Sequence, residues 1–150
     1  MPLGKPTNKI LVAGEPIVEE CLAENTGASD DLVPGMLCIK GTADHQIKYA
    51  GAAAVNVLGV VDYDPRYKIT DALLEGTSVR KLSGPIVVVL TLAASQTINK
   101  GDKLIAAALG QVQAYPASPA AGDEEKIIGK AEESVTTGAG ETKSIMVELK

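Results

Sequence analysis

The residues able to do chemistry are few and scattered. The chain has one histidine, His45, beside Asp44 in a segment that reads as an exposed turn. A Ser-His-Asp hydrolase needs its serine presented on a strained turn, and the run G-x-S-x-G is absent. Cys38 stands seven residues before His45, close enough in sequence for a Cys–His nucleophile pair, and alignment of the two would have to come from the fold. Cys21 and Cys38 do not form a metal-ligand pair, and they read as small apolar groups with reduced thiols. Their spacing leaves open whether they pair with each other.

Acidic clusters occur at Asp30-Asp31, Asp62-Tyr63-Asp64, Asp123-Glu124-Glu125 and Glu132-Glu133. None carries the D-x-D-x-D-G loop and distant glutamate of a calcium hand, so they read as solvated loops. No G-x-x-x-x-G-K-S/T run is present to cradle phosphate. The stretch Thr97-Ile98-Asn99-Lys100-Gly101-Asp102-Lys103-Leu104 resembles the strand-turn-strand of lipoyl and biotinyl carrier domains. The next hairpin tip, Leu109-Gly110, holds no lysine to modify. No catalytic residue, cofactor or metal is assigned.

The elements that would position any such group are short strands. Apolar runs broken by Gly, Pro, Asn and Asp predict strands over 36–40, 46–49, 55–62, 78–82, 86–92, 103–108, 111–115, 126–132 and 143–149. Alternation is clean in Gln111-Val112-Gln113-Ala114-Tyr115, and Ile145, Val147 and Leu149 share one face. Ile86-Val87-Val88-Val89-Leu90 is apolar on both faces: Val87 and Val89 on one, Ile86, Val88 and Leu90 on the other. Leu109-Gly110 reads as the tight turn between two of the strands. Residues 70–76 predict a turn or two of helix capped by Thr70 and stopped by Gly76. Residues 16–23 read equally as a short helix or a strand. The expected fold class is all-β: a small barrel or sandwich-like domain over 16–150, of β-tulip type, with an extended N-terminal arm over 1–15 and little helix.

The 150 residues include no Phe, no Trp and four Tyr, with a net charge of -5. An aliphatic core buries less area per side chain than an aromatic one, which favours association as a further source of stability. The acidic balance disfavours nucleic acid, and no apolar run approaches the roughly 20 residues that span a bilayer. The N-terminus lacks the apolar centre of a secretory signal, so synthesis and folding in a cytoplasm are expected.

From Pro34 onward the order of features resembles the capsid decoration proteins of tailed phages, also called cement or head-stabilising proteins. The resembling segments begin with Pro34-Gly35-Met36-Leu37-Cys38, then residues 50–54 leading into Val57-Leu58-Gly59-Val60-Val61. Gly76-Thr77-Ser78-Val79 precedes Gly84-Pro85-Ile86-Val87-Val88-Val89. After Gly101-Asp102-Lys103-Leu104 and Gly110-Gln111-Val112 come Ile127-Ile128-Gly129-Lys130-Ala131 and Ile145-Met146-Val147-Glu148-Leu149. The resemblance implies a non-enzymatic virion protein on the outside of an icosahedral head, a homotrimer that clamps neighbouring major capsid proteins. It implies an N-terminal arm that adds a strand to the capsid protein, a role that Lys9, Ile10, Leu11 and Val12 fit by main-chain pairing. Val87 and Val89 are the expected face toward a neighbouring subunit. The alternatives are another β-rich phage structural or adaptor module and, further off, a carrier or small enzyme domain.

Overall fold

The computed structural model describes residues 10–24, 32–62 and 78–150. Among them are thirteen β-strands and two short 3-10 turns, with no α-helix. The residues expected as a helical turn at 70–76 lie outside the described residues. The ambiguous segment 16–23 is a strand, β2 (Ile17–Ala23). Its two consecutive β-branched residues at the start favour extended backbone.

Two five-stranded barrels follow from the pairing. In the first, β2 is joined by β3 (Leu37–Lys40), β4 (Gln46–Tyr49), β5 (Gly59–Val61) and β6 (Ser78–Ser83), closed in the order β2-β4-β3-β5-β6. The second contains β7 (Val87–Leu92), β9 (Lys103–Ala106), β10 (Val112–Ala114), β11 (Ile127–Ala131) and β13 (Lys143–Leu149). It closes because β7 pairs with β10 at one edge and with β13 at the other. β8 (Thr97–Ile98) and β12 (Val135–Thr136) make a small two-stranded clasp beside it. The buried Thr137 fastens that clasp: its hydroxyl donates to the Ala93 carbonyl at 2.6 Å and accepts from the Gln96 N–H at 3.0 Å.

The start of the chain belongs to the second barrel. β1 (Leu11–Ala13) lies antiparallel on β7, with Leu11 opposite Val88, and the Val89 N–H donates to the Ile10 carbonyl at 2.8 Å. Residues 10–13 of the expected arm are therefore part of this chain's own sheet. The first barrel is inserted in the chain between β1 and β7, two neighbouring strands of the second barrel's six-stranded sheet.

Alternation explains how one narrow barrel serves two cores. Leu37 pairs with Val60, and Val60 with Leu82, so these three share one face. They join Ile10, Ile86, Val88, Leu90, Leu104, Ile145 and Val147 in one buried cluster that runs from the outer wall of the first barrel into the second. Their strand neighbours Cys38 and Val61 turn the other way, into a separate core with Cys21, Ala23, Leu32, Ile47 and Val79. β5 is buried along its whole length, because each of its faces meets a core. The apolar run expected as a strand over 55–62 is strand only at Gly59–Val61. Val55 and Leu58 are exposed, so their apolar character does not come from burial.

Close backbone approach ties the barrels together at the hairpin between β9 and β10. Leu109 (φ 56°) and Gly110 (φ 68°) turn the chain in the left-handed region, as the Leu109-Gly110 turn requires. The Gly110 N–H donates to the Ala50 carbonyl of the first barrel at 2.9 Å, and the Ala53 N–H donates back to Ala106 at 2.9 Å. A Cβ at position 110 would stand 2.7 Å from the Met36 Cβ, so any larger residue pushes the barrels apart.

Ile10 tests whether the first described residues are structural. It is 3% exposed in the shared core, whereas Val12, two residues on, is 38% exposed. Ile10→Ala should cost about 2–5 kcal/mol of unfolding free energy. Val12→Ala should change it by no more than about 0.5 kcal/mol, both read from urea denaturation. Equal effects would show that β1 is not held on β7.

Candidate docking surfaces

The structure does not bring the candidate reactive groups together. Cys38 is fully buried in the first barrel, while His45 is exposed in the β3–β4 turn with φ 62°. Burial pushes the Cys38 thiol up to about 12, far from a nucleophile's range. Cys21 is also buried, its thiol pushed upward first by burial and then by the Glu19 charge, and both cysteines are free thiols. Among the described residues no group of three His, Cys, Asp or Glu side chains could hold a metal ion. In the cluster at 123–125, Asp123 is occupied: it accepts from Lys126 Nζ and from the Ala120 N–H, each at 2.7 Å. Those contacts, the lysine first, hold its carboxyl below the usual range.

One charged pair sits at the rim of the first barrel. Lys81 is 8% exposed, and its ammonium lies 3.1 Å from the Glu19 carboxylate, which is half exposed. Glu19 and Lys81 are directly opposite across β2 and β6, and Val61 opposite Lys81 shows that this row faces inward. The Lys81 hydrogen bond and charge lower the Glu19 acid below its ordinary value. A parallel contact holds the neck of the barrel. Thr42 donates to the Glu24 carboxylate from its N–H and its hydroxyl, at 2.6 and 2.7 Å. Gly41 makes room, since a Cβ there would strike the Glu24 side chain.

The residues expected to meet partners are placed as follows. Lys9 lies outside the described residues. Ile10 is buried in the shared core, Leu11 is half-buried on β7, and Val12 is exposed. Val87 and Val89 are half-buried on the outer face of β7, where Met146 stands opposite Val89 and Glu148 opposite Val87 on β13. The inner face of the same strand, Val88, Leu90 and Leu92, is fully buried.

Other exposed aliphatics were not legible as surface groups. Ile17 is 66% and Val18 52% exposed at the start of β2, and Leu109 is 44% exposed at its hairpin tip. Val55 and Leu58 flank a cleft of about 230 Å³ between the barrels, together with Gly84 and Ile127. Gly84 also lies against Ile17, which brings that side chain to the same region. A signal for β2 does exist in the sequence. Ile17 and Val18 are adjacent, so they point to opposite faces, and the two glutamates that follow also occupy opposite faces. An end of strand with one apolar and one charged residue on each face is solvated on both.

Two measurements check this account. Ellman's reagent should modify neither thiol in the native protein and both after unfolding; a fast native reaction at Cys38 would contradict its burial. The acid side follows from Glu19. Its acid is lowered on folding, so its contribution is present above the unfolded value near 4.5 and is lost as pH falls through the folded value. Between pH 6 and pH 3 the wild type should therefore lose more stability than Glu19→Gln, and equal losses would mean that the Lys81 contact has no effect on Glu19.

The chain matches no protein-family model and no curated protein. Its fold is similar to that of the N base of head fiber gp8.5 in bacteriophage phi29, known from a crystal structure, with a TM-score of 0.55 and 14% sequence identity. The similarity covers 91% of this chain and 95% of that one. The all-β barrel expected from the resemblance to phage head proteins is thus a fold that a phage head-fiber protein has.

Proposed function

We propose that this chain is a virion structural protein of a tailed phage that works by adhesion and not by catalysis. It sits on the outer surface of the icosahedral head as a homotrimer, contacts the major capsid protein, and stabilises the shell. The observation that supports this reading is the fold shared, over nearly the whole chain, with a base module of a phage head fiber. The chemistry agrees with it: both thiols are buried while the one histidine is exposed, and aliphatic side chains are exposed on the surface. The outer face of β7, with Val87, Val89 and Met146, is the proposed contact between subunits. Val12 on the adjoining β1 extends that face, while Ile10 and Leu11 act through holding β1 in place; Lys9, outside the described residues, is proposed to contact the capsid protein.

A second reading is favoured by the same neighbour. Because that protein is the base of a fiber, this chain also fits a base module that anchors a further virion component to the head.

Purified full-length protein should run as a trimer by light scattering. It should co-sediment with heads assembled from the major capsid protein encoded in the same genome, and it should raise their melting temperature. Deletion of residues 1–9 keeps Ile10, so the fold should survive while head binding weakens. A monomer at tens of micromolar (about the range of weak association) that leaves heads unbound would overturn the proposal. Electron microscopy of decorated heads separates a bare coat from a fiber base.

A further inference from the structure

Among the described residues, half of one edge of β2 is uncovered. β6 runs along one side of it from Ile17 opposite Ser83 to Leu22 opposite Ser78. On the other side β4 pairs only at Leu22 and Ala23. There the Leu22 N–H donates to the His45 carbonyl at 2.8 Å and the Glu24 N–H to the Ile47 carbonyl at 2.9 Å. Backbone groups alternate in direction along a strand, so the N–H and C=O of Val18 and Glu20 point to the same side as those of Leu22. No strand among the described residues pairs with them. All four residues from Ile17 to Glu20 are exposed.

Exposed edges attract strands, and proteins usually blunt them with charge. Here the charge selects the occupant. Antiparallel pairing of two copies centred on Glu19 or Glu20 would put like charges directly opposite, which is destabilising, and pairing centred on Val18 would set Glu19 against Ile17 and leave both carboxylates without a cation on this side. The β6 side shows the favourable arrangement, with Arg80 opposite Glu20 and Lys81 opposite Glu19. A cation arriving on the open side would complete an alternating row, cation–glutamate–cation, across three strands. Ile17 and Val18 offer one aliphatic contact on each face beside it.

We propose that the open edge of β2 accepts an extended segment of another protein, carrying Lys or Arg opposite Glu19 and Glu20 and aliphatic residues beside Ile17 and Val18. The segment adds as a strand through the Val18 and Glu20 backbone, with main-chain bonds for affinity and the charge row for register. This rests on the adhesive reading above and names the part of the surface that does the adhering.

The test uses the full chain and two synthetic peptides, one repeating Val-Val-Lys-Lys (the Lys peptide) and one repeating Val-Val-Glu-Glu (the Glu peptide). The Lys peptide should bind and slow hydrogen exchange at the Val18 and Glu20 amides. Val18→Pro removes only an outward N–H, so the barrel should melt as in the wild type while affinity falls by at least about tenfold. Glu20→Lys should weaken the Lys peptide and strengthen the Glu peptide. Equal binding of both peptides, unchanged binding by Val18→Pro, or a homodimer abolished by Val18→Pro would each overturn the proposal. If heads bind Val18→Pro as they bind the wild type, the edge assignment fails and the adhesive reading stands. If the Lys peptide binds at the edge while heads bind no form of the protein, the edge proposal stands and the virion reading fails.

Discussion

Everything in this molecule depends on filling two narrow barrels and the seam between them with small and mostly aliphatic side chains. A five-stranded barrel has little interior, and a chain without Phe or Trp can close one without overpacking. The row Leu37–Val60–Leu82 then does a second job on the outer wall, because each of these residues is followed in its strand by one that faces inward or alternates with one. Strands buried on both faces need such alternation between two apolar sets, and β5 is the clearest case. Where backbones touch, glycine is required. At Gly129 a Cβ would collide with the Glu148 carbonyl of the neighbouring strand, and at Gly59 with that of Leu82.

The same packing decides what the surface can offer. Once Ile10 is in the shared core, β1 is no longer a strand to be donated; it is a stay that holds the first residues on β7. Among the described residues the fold leaves free a recipient edge, the first half of β2, together with the aliphatic rim at Ile17, Val55 and Leu58. The polar groups tell a matching story. Glu19, Glu24 and Asp123 are each tied to a neighbour that lowers their acid, so they brace turns and rims.

Much of the strand pattern was legible because the side-chain period is local. The alternation in 111–115 and 143–149 appears as β10 and β13 with Val112, Ile145, Val147 and Leu149 buried. The doubly apolar run at 86–92 was legible as a strand with two apolar faces. Half-burial of Val87 and Val89 came only from the coordinates. The reading of 55–62 was too long because composition cannot separate an aliphatic side chain that is buried from one that is displayed. Residues 16–23 were ambiguous for a related reason: the exposed first half has no apolar period at all.

By itself, then, the sequence determined the class of the molecule: short extended segments, tight glycine turns and an aliphatic interior. Those follow from local alternation, turn chemistry and composition. The tertiary structure alone decided that there are two barrels, that β1 returns to β7 across the whole inserted barrel, and that β2 keeps an open edge. Each of these depends on pairing between strands far apart in the chain, and no local pattern specifies which distant strand will arrive or how far along the edge it will reach.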